Sequence, residues 1–273
     1  MRFKSATFLS SIIFLILWFS VALISDWLPL TPNNVQLAHI LQPPSAEAWL
    51  GYDDLGRPLL DRLVKGAHTS LLVALLVVLI SLSVGTLIGM ISAWFGGWVD
   101  LIIVRVIDIF LAFPGILLAI ALSGLLAPGI NNVVFALSIV GWVGFARLAR
   151  AQTLSLKHRE HVLAAQALGA SSPRILCHHV LPLLTAPLVI EATFGIASVV
   201  IAEAGLSFLG LGVQPPTASW GSMIRDGTNY MLVAPHTVLV PSTALLLVVL
   251  SVNLLGDGLR DYLDVKTRQC RES

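Results

Sequence analysis

Long stretches without a single charged residue constrain this chain more than any other feature. None of Asp, Glu, Lys or Arg falls between Thr7 and Ser25, between Gly66 and Val99, or between Ile109 and Ala146. Each run is long enough to cross about 30 Å of hydrocarbon, and the last is long enough to cross it twice. Across 273 residues, 56% are hydrophobic and 11% are charged. A soluble core has no use for that much apolar surface, whereas a lipid-facing bundle does. The first apolar run follows Arg2 and Lys4, as in a secretory signal. It is longer than a signal's apolar region and no Ala-x-Ala-like site follows, so it reads as a retained helix.

The pattern predicts an all-α membrane bundle of six spans in one domain. The spans fall near Thr7–Ser25, Ser70–Ala93, Leu101–Leu125, Val133–Arg150, Leu188–Leu206 and Thr237–Gly256. Gly96-Gly97, Pro128-Gly129 with Asn131-Asn132, and Pro215-Pro216 mark breaks between them. With the N-terminus inside, eleven Lys and Arg residues face the cytoplasm: Arg2, Lys4, Arg147, Arg150, Lys157, Arg159, Arg174, Arg260, Lys266, Arg268 and Arg271. Arg57, Arg62, Lys65 and Arg225 face the other side, and Arg105 lies within a span. The positive-inside rule therefore predicts cytoplasmic N- and C-termini and a cytoplasmic loop over 151–187. Cys177 and Cys270 fall on that side, where thiols stay reduced. Trp27, Trp94 and Trp98 fall at span ends, where amphipathic rings favour the interface.

Within the cytoplasmic loop, Glu160–Pro182 is polar and rich in histidine. Ala164, Ala165, Ala167 and Leu168 favour helix, and Gly169 is a natural stop. Ser171 or Ser172 before Pro173 then has the form of an N-cap opening a second short helix. Two short helices joined at a glycine make a compact knob, and small alanines let a partner backbone approach. Such a knob, seated in another protein, would transmit that protein's motion to the spans on either side. An ordinary helical hairpin would need no more than the same alanines and glycine.

The spacing Glu160-x-x-x-Ala164-Ala165-x-x-x-Gly169, with Arg174-Ile175, His179 and Leu181-Pro182, resembles the cytoplasmic "EAA" loop of binding-protein-dependent ABC importer permeases. It is most similar to the dipeptide, oligopeptide and nickel permease family. Leu163 stands where glutamate is usual before the two alanines, and Leu183 where asparagine often follows the proline. Three further segments are similar to the same family in the same order. They are Gly51–Arg62, in which Tyr52, Pro58 and Asp61 replace the usual threonine, aspartate and serine, then Leu206–Gly221, and Asn253–Asp264.

The resemblance implies a type I ABC importer permease in a bacterial inner membrane, one half of a heteromeric pore. Its partners would be a sister permease, two cytoplasmic ATPase subunits and an extracytoplasmic substrate-binding protein. Glu160, Ala164, Ala165, Gly169 and Pro182 would dock the ATPases. The substrate would be a di- or oligopeptide, or alternatively nickel or another metal chelate. No Gly-x-x-x-x-Gly-Lys-Ser/Thr occurs in the sequence, so ATP and its magnesium are expected on partner subunits, with no cofactor on this chain. Nothing suggests nucleic acid.

Other candidates stand apart from the loop. Arg105 and Asp108, one turn apart, suit either a polar site on a translocation path or a self-neutralised pair near the membrane edge. Glu191 and Glu203 lie on broadly related faces of the fifth span, and either could line a path or bond a neighbouring helix. His158, His161, His178, His179 and Cys177 lack the spacing of a metal site. Gly205-Leu206-Ser207-Phe208 fits a short intramembrane-protease pattern with His236 as its candidate base, and a stand-alone channel is the other remote reading. Asp53, Asp54 and Gly56 suggest a turn capping the amphipathic stretch Pro58–Val64, on a surface that could also bind a partner.

Overall fold

The computed structural model describes the backbone of residues 5–272 and the side chains of residues 8–263. The charges expected on Arg2, Lys4, Lys266, Arg268 and Arg271, and Cys270, lie outside the described side chains. Among the described residues ten α-helices follow one another: α1 Ser5–Ile24, α2 Leu59–Phe95, α3 Gly97–Leu111, α4 Gly115–Leu125, α5 Ile130–Leu156, α6 Glu160–Ala167, α7 Ser172–Ile175, α8 Leu181–Phe208, α9 Trp220–Thr228 and α10 His236–Glu272. No strand occurs among the described residues beyond an isolated Tyr52–Pro58 bridge. The chain is therefore all-α, as its charge-free runs require once each backbone polar group in lipid must be satisfied within its own segment.

Among the described residues four helical stretches are long and apolar enough to cross a membrane: Leu59–Phe95, Ile130–Leu156, Ser172–Phe208 and His236–Leu263. Phe8–Ile24 is a shorter apolar helix. Where one straight span is expected over Leu101–Leu125, α3 and α4 instead meet at 84°. The cause is Pro114, which denies its predecessor the helical region and caps α4 from an extended conformation. The six expected spans thus correspond to four helices long and apolar enough to cross, one broken pair and one shorter apolar helix, rather than to six equivalent helices.

Other boundaries differ for equally local reasons. Helix α2 begins at Leu59, a full eleven residues before the expected span, because helix continues through Asp61, Arg62 and Lys65 where the apolar run does not. At 37 residues it is about 55 Å long, well beyond the hydrocarbon thickness. The expected loop over 207–236 contains α9, whose start is fixed by a capping box between Ser219 and Ser222. Trp27 and Trp98 are exposed, but Trp94 is buried against the bundle.

The bundle is centred on α2 and α5, which approach closely along a row of small residues. A methyl group at Gly85 would lie 2.4 Å from the Trp142 carbonyl oxygen, and one at Gly89 would lie 2.2 Å from that of Ala146. Opposite them, a methyl at Gly141 would lie 2.6 Å from Ser81 Oγ. Ser81, Gly85 and Gly89 recur every four residues, so they share one face of α2 and let two backbones touch. Helix α8 packs on the same pair, while α1, α9 and α10 close a second core around Trp18, Leu71, Val200, Trp220 and Val248.

Candidate functional site: the helical knob and its seating

Helices α6 and α7 form a knob between α5 and α8. Glu160 opens α6, and Gly169 reverses the chain at φ +79°. That conformation costs an L-residue roughly 1–2 kcal/mol, which explains glycine there. A side chain at Gly169 would meet nothing within 4 Å, so the constraint is on the backbone alone. Ser171 is the N-cap of α7 and proline occupies its first turn, although the serine side chain makes no capping hydrogen bond. The second short helix is not free-standing. It runs through a π-helical turn, Leu176–Val180, directly into α8. Pro182 and Pro187 lack the N–H groups that an α-helix would direct to His178 and Leu183, and a widened turn beside them is one way to absorb the loss.

The knob is seated in the main core. Val162 and Ala165 of α6, Ile175 of α7, and Leu176 and Val180 of the π turn are buried in one cluster. The same cluster contains Met90 and Trp94 of α2, Phe145, Ala149 and Leu156 of α5, and Leu184 and Leu188 of α8. A push on the knob must therefore move side chains that three spans share.

Of the residues read from the sequence, Glu160, Ala164 and Gly169 are exposed on the knob and Pro182 is exposed in the first turn of α8, whereas Ala165 is buried beneath the knob. Ala165 therefore supports the knob from inside and presents no methyl to a partner. The exposed face also carries Leu163, 47% exposed, and Leu168, 89% exposed. From sequence Leu168 is legible only as a helix former, since composition cannot say which leucine of an apolar chain faces outward.

The path candidates separate. Arg105 Nη1 lies 3.9 Å from Asp108 Oδ2, with both side chains largely exposed on the outer face of α3. Glu191 is half-buried where α8 crosses α5, its Oε1 3.1 Å from where a Gly144 methyl would sit. Glu203 is fully buried, accepting hydrogen bonds from Ser207 Oγ at 2.8 Å and Ser70 Oγ at 3.2 Å. It joins α8 to α2 rather than opening onto a passage.

Ser207 Oγ also accepts from the Val213 amide at 3.1 Å, so both its roles are taken by structure. His236 Nε2 instead lies 3.3 Å from the Tyr52 carbonyl oxygen. The residues of the protease pattern are not brought together. No group of three or more His, Cys, Asp or Glu residues among those described is placed to hold a metal.

At the opposite end of the bundle, Asp53 organises the Gly51–Arg62 segment. Its carboxylate accepts from the Leu55 amide at 2.9 Å, the Arg57 amide at 2.8 Å and Arg57 Nε at 2.6 Å, and Arg62 Nε stands 3.3 Å away. This caps the turn and not the helix, since Pro58 begins α2 with no side-chain cap. Arg57 Nη2 is 3.5 Å from Asp54 Oδ1, which finds no aligned donor. Burial, reinforced by Asp53 and Asp226, holds the Asp54 carboxyl above its ordinary range against the pull of Arg57.

A long-helix bundle with a core-seated knob is the fold of a type I ABC transporter permease. It superposes on a chain of a methionine ABC transporter in an inward-facing conformation with a TM-score of 0.61 and 18% identity, covering 75% of this chain and 97% of that one. Residues 85–269 match the family described as "Binding-protein-dependent transport system inner membrane component", and the chain belongs to that family. It is 42% identical over 262 residues to the dipeptide transport system permease protein of Alkalihalophilus pseudofirmus, covering 94% of this chain and 86% of that protein. It is also 42% identical over 236 residues to the glutathione transport system permease protein of Pectobacterium atrosepticum, covering 86% and 78%. The chain is accordingly a multi-pass membrane permease of an ABC importer.

Proposed function

We propose that this chain moves short peptides across the inner membrane as one permease of an ATP-driven importer. The observation that carries the mechanism is the burial of Val162, Ala165 and Ile175 in the core shared by α2, α5 and α8. Two cytoplasmic ATPases grip the exposed knob face through Glu160, Ala164, Leu168 and Gly169. When ATP draws them together, the shared core carries the displacement into the spans, and the pore opens outward to accept peptide from a binding protein. Hydrolysis, which belongs to the ATPases, resets it. A sister permease supplies the other half of the pore, and both termini of this chain lie in the cytoplasm.

Peptide cargo is supported by the relatives named for dipeptide and glutathione transport. Glutathione is itself a tripeptide, so both names describe small peptide-like solutes. The nickel alternative finds no support in these relatives. A mild-detergent pull-down of the tagged chain, with mass spectrometry, tests the assembly. Recovery of a second permease and Walker-motif ATPases is the expected result. A chain recovered alone and intact would remove the proposal. Uptake of labelled dipeptide and glutathione by membranes containing the assembly then separates the cargoes.

A further inference from the structure

At the knob end of the bundle, three helices are tied together by a polar cluster. Arg150 of α5 forks onto Asp100 of α3, with Nε 2.6 Å from Oδ1 and Nη2 2.6 Å from Oδ2. Ser92 of α2 donates to the same Oδ1 at 2.5 Å. Seven residues beyond Arg150, Lys157 donates to the Trp94 carbonyl oxygen at 2.5 Å and lies 3.4 Å from that of Ala93. These are among the last carbonyls of α2, which have no partner within the helix and favour a cation. The Lys157 ammonium also sits 5.8 Å from the centre of the Trp94 ring.

The cluster lies where the knob begins, because Lys157 ends α5 and Glu160 starts α6. It also holds an element whose apolar seat is narrow. Along α3, Ile107 alone is buried, in a small cluster with Val143 and Ala146, flanked by the partly buried Ile103 and by Phe110 edge-on to Trp142. Helices α2 and α5 are locked by backbone contact at Gly85 and Gly89 and need no such tie. Without the Asp100 fork, α3 would rest on α5 through a narrow apolar strip.

We propose that Asp100 and Arg150 form a latch that makes α3 follow α5 when the knob is displaced. They are positioning residues for transport: they touch neither cargo nor nucleotide. With the latch open, the knob, α5 and the α4 packed on it move while α3 lags, so ATP is hydrolysed without cargo movement. This rests on the knob being the ATPase contact.

The test uses the whole transporter in membrane vesicles, with peptide moved and ATP hydrolysed measured together. Arg150→Lys keeps the charge but loses the two-toothed fork, and Asp100→Asn keeps the volume but loses the charge. Both are expected to insert and to retain the ATPases, while peptide moved per ATP falls at least tenfold. Exchanging the pair, Asp100→Arg with Arg150→Asp, is expected to recover part of that ratio. An unchanged ratio in both single variants overturns the latch. So does a loss of uptake that merely tracks loss of the chain from the membrane. Gly169→Asp serves as the separate control for the knob. If it couples normally, the knob reading fails and the latch falls with it; if it uncouples while Arg150→Lys and Asp100→Asn keep an unchanged ratio, the latch alone fails.

Discussion

Glu203 and Ser207, one turn apart on α8, form a closed hydrogen bond of 2.8 Å in the interior of the bundle. The carboxylate reaches a second helix through Ser70, and the serine reaches the following loop through the Val213 amide. A carboxylate within a membrane protein thereby serves as a structural junction among α2, α8 and the Leu206–Gly221 segment. Glu203→Leu would strip two buried hydroxyls of their acceptor, at about 1–3 kcal/mol for each group left unsatisfied. Ser207→Ala, which removes one donor and leaves the Val213 amide unpaired, is expected to cost less. Thermal unfolding of the purified protein should rank wild type above Ser207→Ala above Glu203→Leu. A Glu203→Leu protein as stable as wild type would show that the junction contributes nothing.

Close approach of α2 and α5 predicts a sharp contrast between two glycines. Gly89→Leu places carbon 2.2 Å from the Ala146 carbonyl oxygen and 2.9 Å from the Arg150 amide nitrogen, neither of which is free to withdraw. The chain should then fail to accumulate in the membrane fraction. Gly124, within α4, has open space around it, and Gly124→Ala should be neutral or gain up to about 1 kcal/mol from helix propensity. Immunoblots of membrane fractions before and after heating compare the two directly.

On the knob, Leu168 is 89% exposed and makes little contact with its own chain. Leu168→Asp should leave thermal stability within about 0.5 kcal/mol of wild type, yet reduce recovery of the ATPases at least tenfold in a pull-down. Ile175→Ala acts from beneath. It opens a cavity in the shared core at a cost of about 2–5 kcal/mol and should lower stability and coupling together. Full ATPase recovery with Leu168→Asp would place the docking surface elsewhere.

The raised Asp54 carboxyl gives a pH signature at the other end of the molecule. A group whose folded pKa lies above its unfolded value of 3.8 binds more protons when folded. Its contribution to stability is therefore greatest below 3.8 and declines as pH rises through the folded value. Asp54→Asn should raise the melting temperature at pH 7 and flatten the acidic limb, and its advantage should vanish below pH 3.8. Asp26 behaves oppositely, since the hydrogen bond from Lys65 at 2.7 Å lowers its carboxyl. That contribution is present above 3.8 and lost as pH falls through the lowered folded value. Melting curves from pH 3 to pH 8 for wild type and the two asparagine variants distinguish the signs.

Insertion in a membrane, helix as the sole regular structure and the knob between the fourth and fifth expected spans were all legible in the sequence. The reason is physical: charge-free runs, alanines and a turn glycine act locally, and lipid admits few alternatives to helix. The Leu206–Gly221 and Glu160–Pro182 segments, with the other two, carried the family as well. What remained hidden depends on which residues meet across the chain. Arg150 was legible only as an inside charge and Asp100 only as a span boundary, because their partnership crosses 50 positions. Glu203 read either as a path residue or as a bond to a neighbouring helix, and only its partner Ser70, 133 positions away, decides for the bond. Arg105 and Asp108, three positions apart, do form an ion pair at 3.9 Å, and only the structure shows that it stands on an exposed face. Hydropathy located the stretches that lipid accepts, but helix α2 extends past them because charges at its outer end find Asp53, Asp26 and the backbone of the preceding loop. Local chemistry thus determined what each segment is, while packing decided which polar groups close on one another and which remain turned outward.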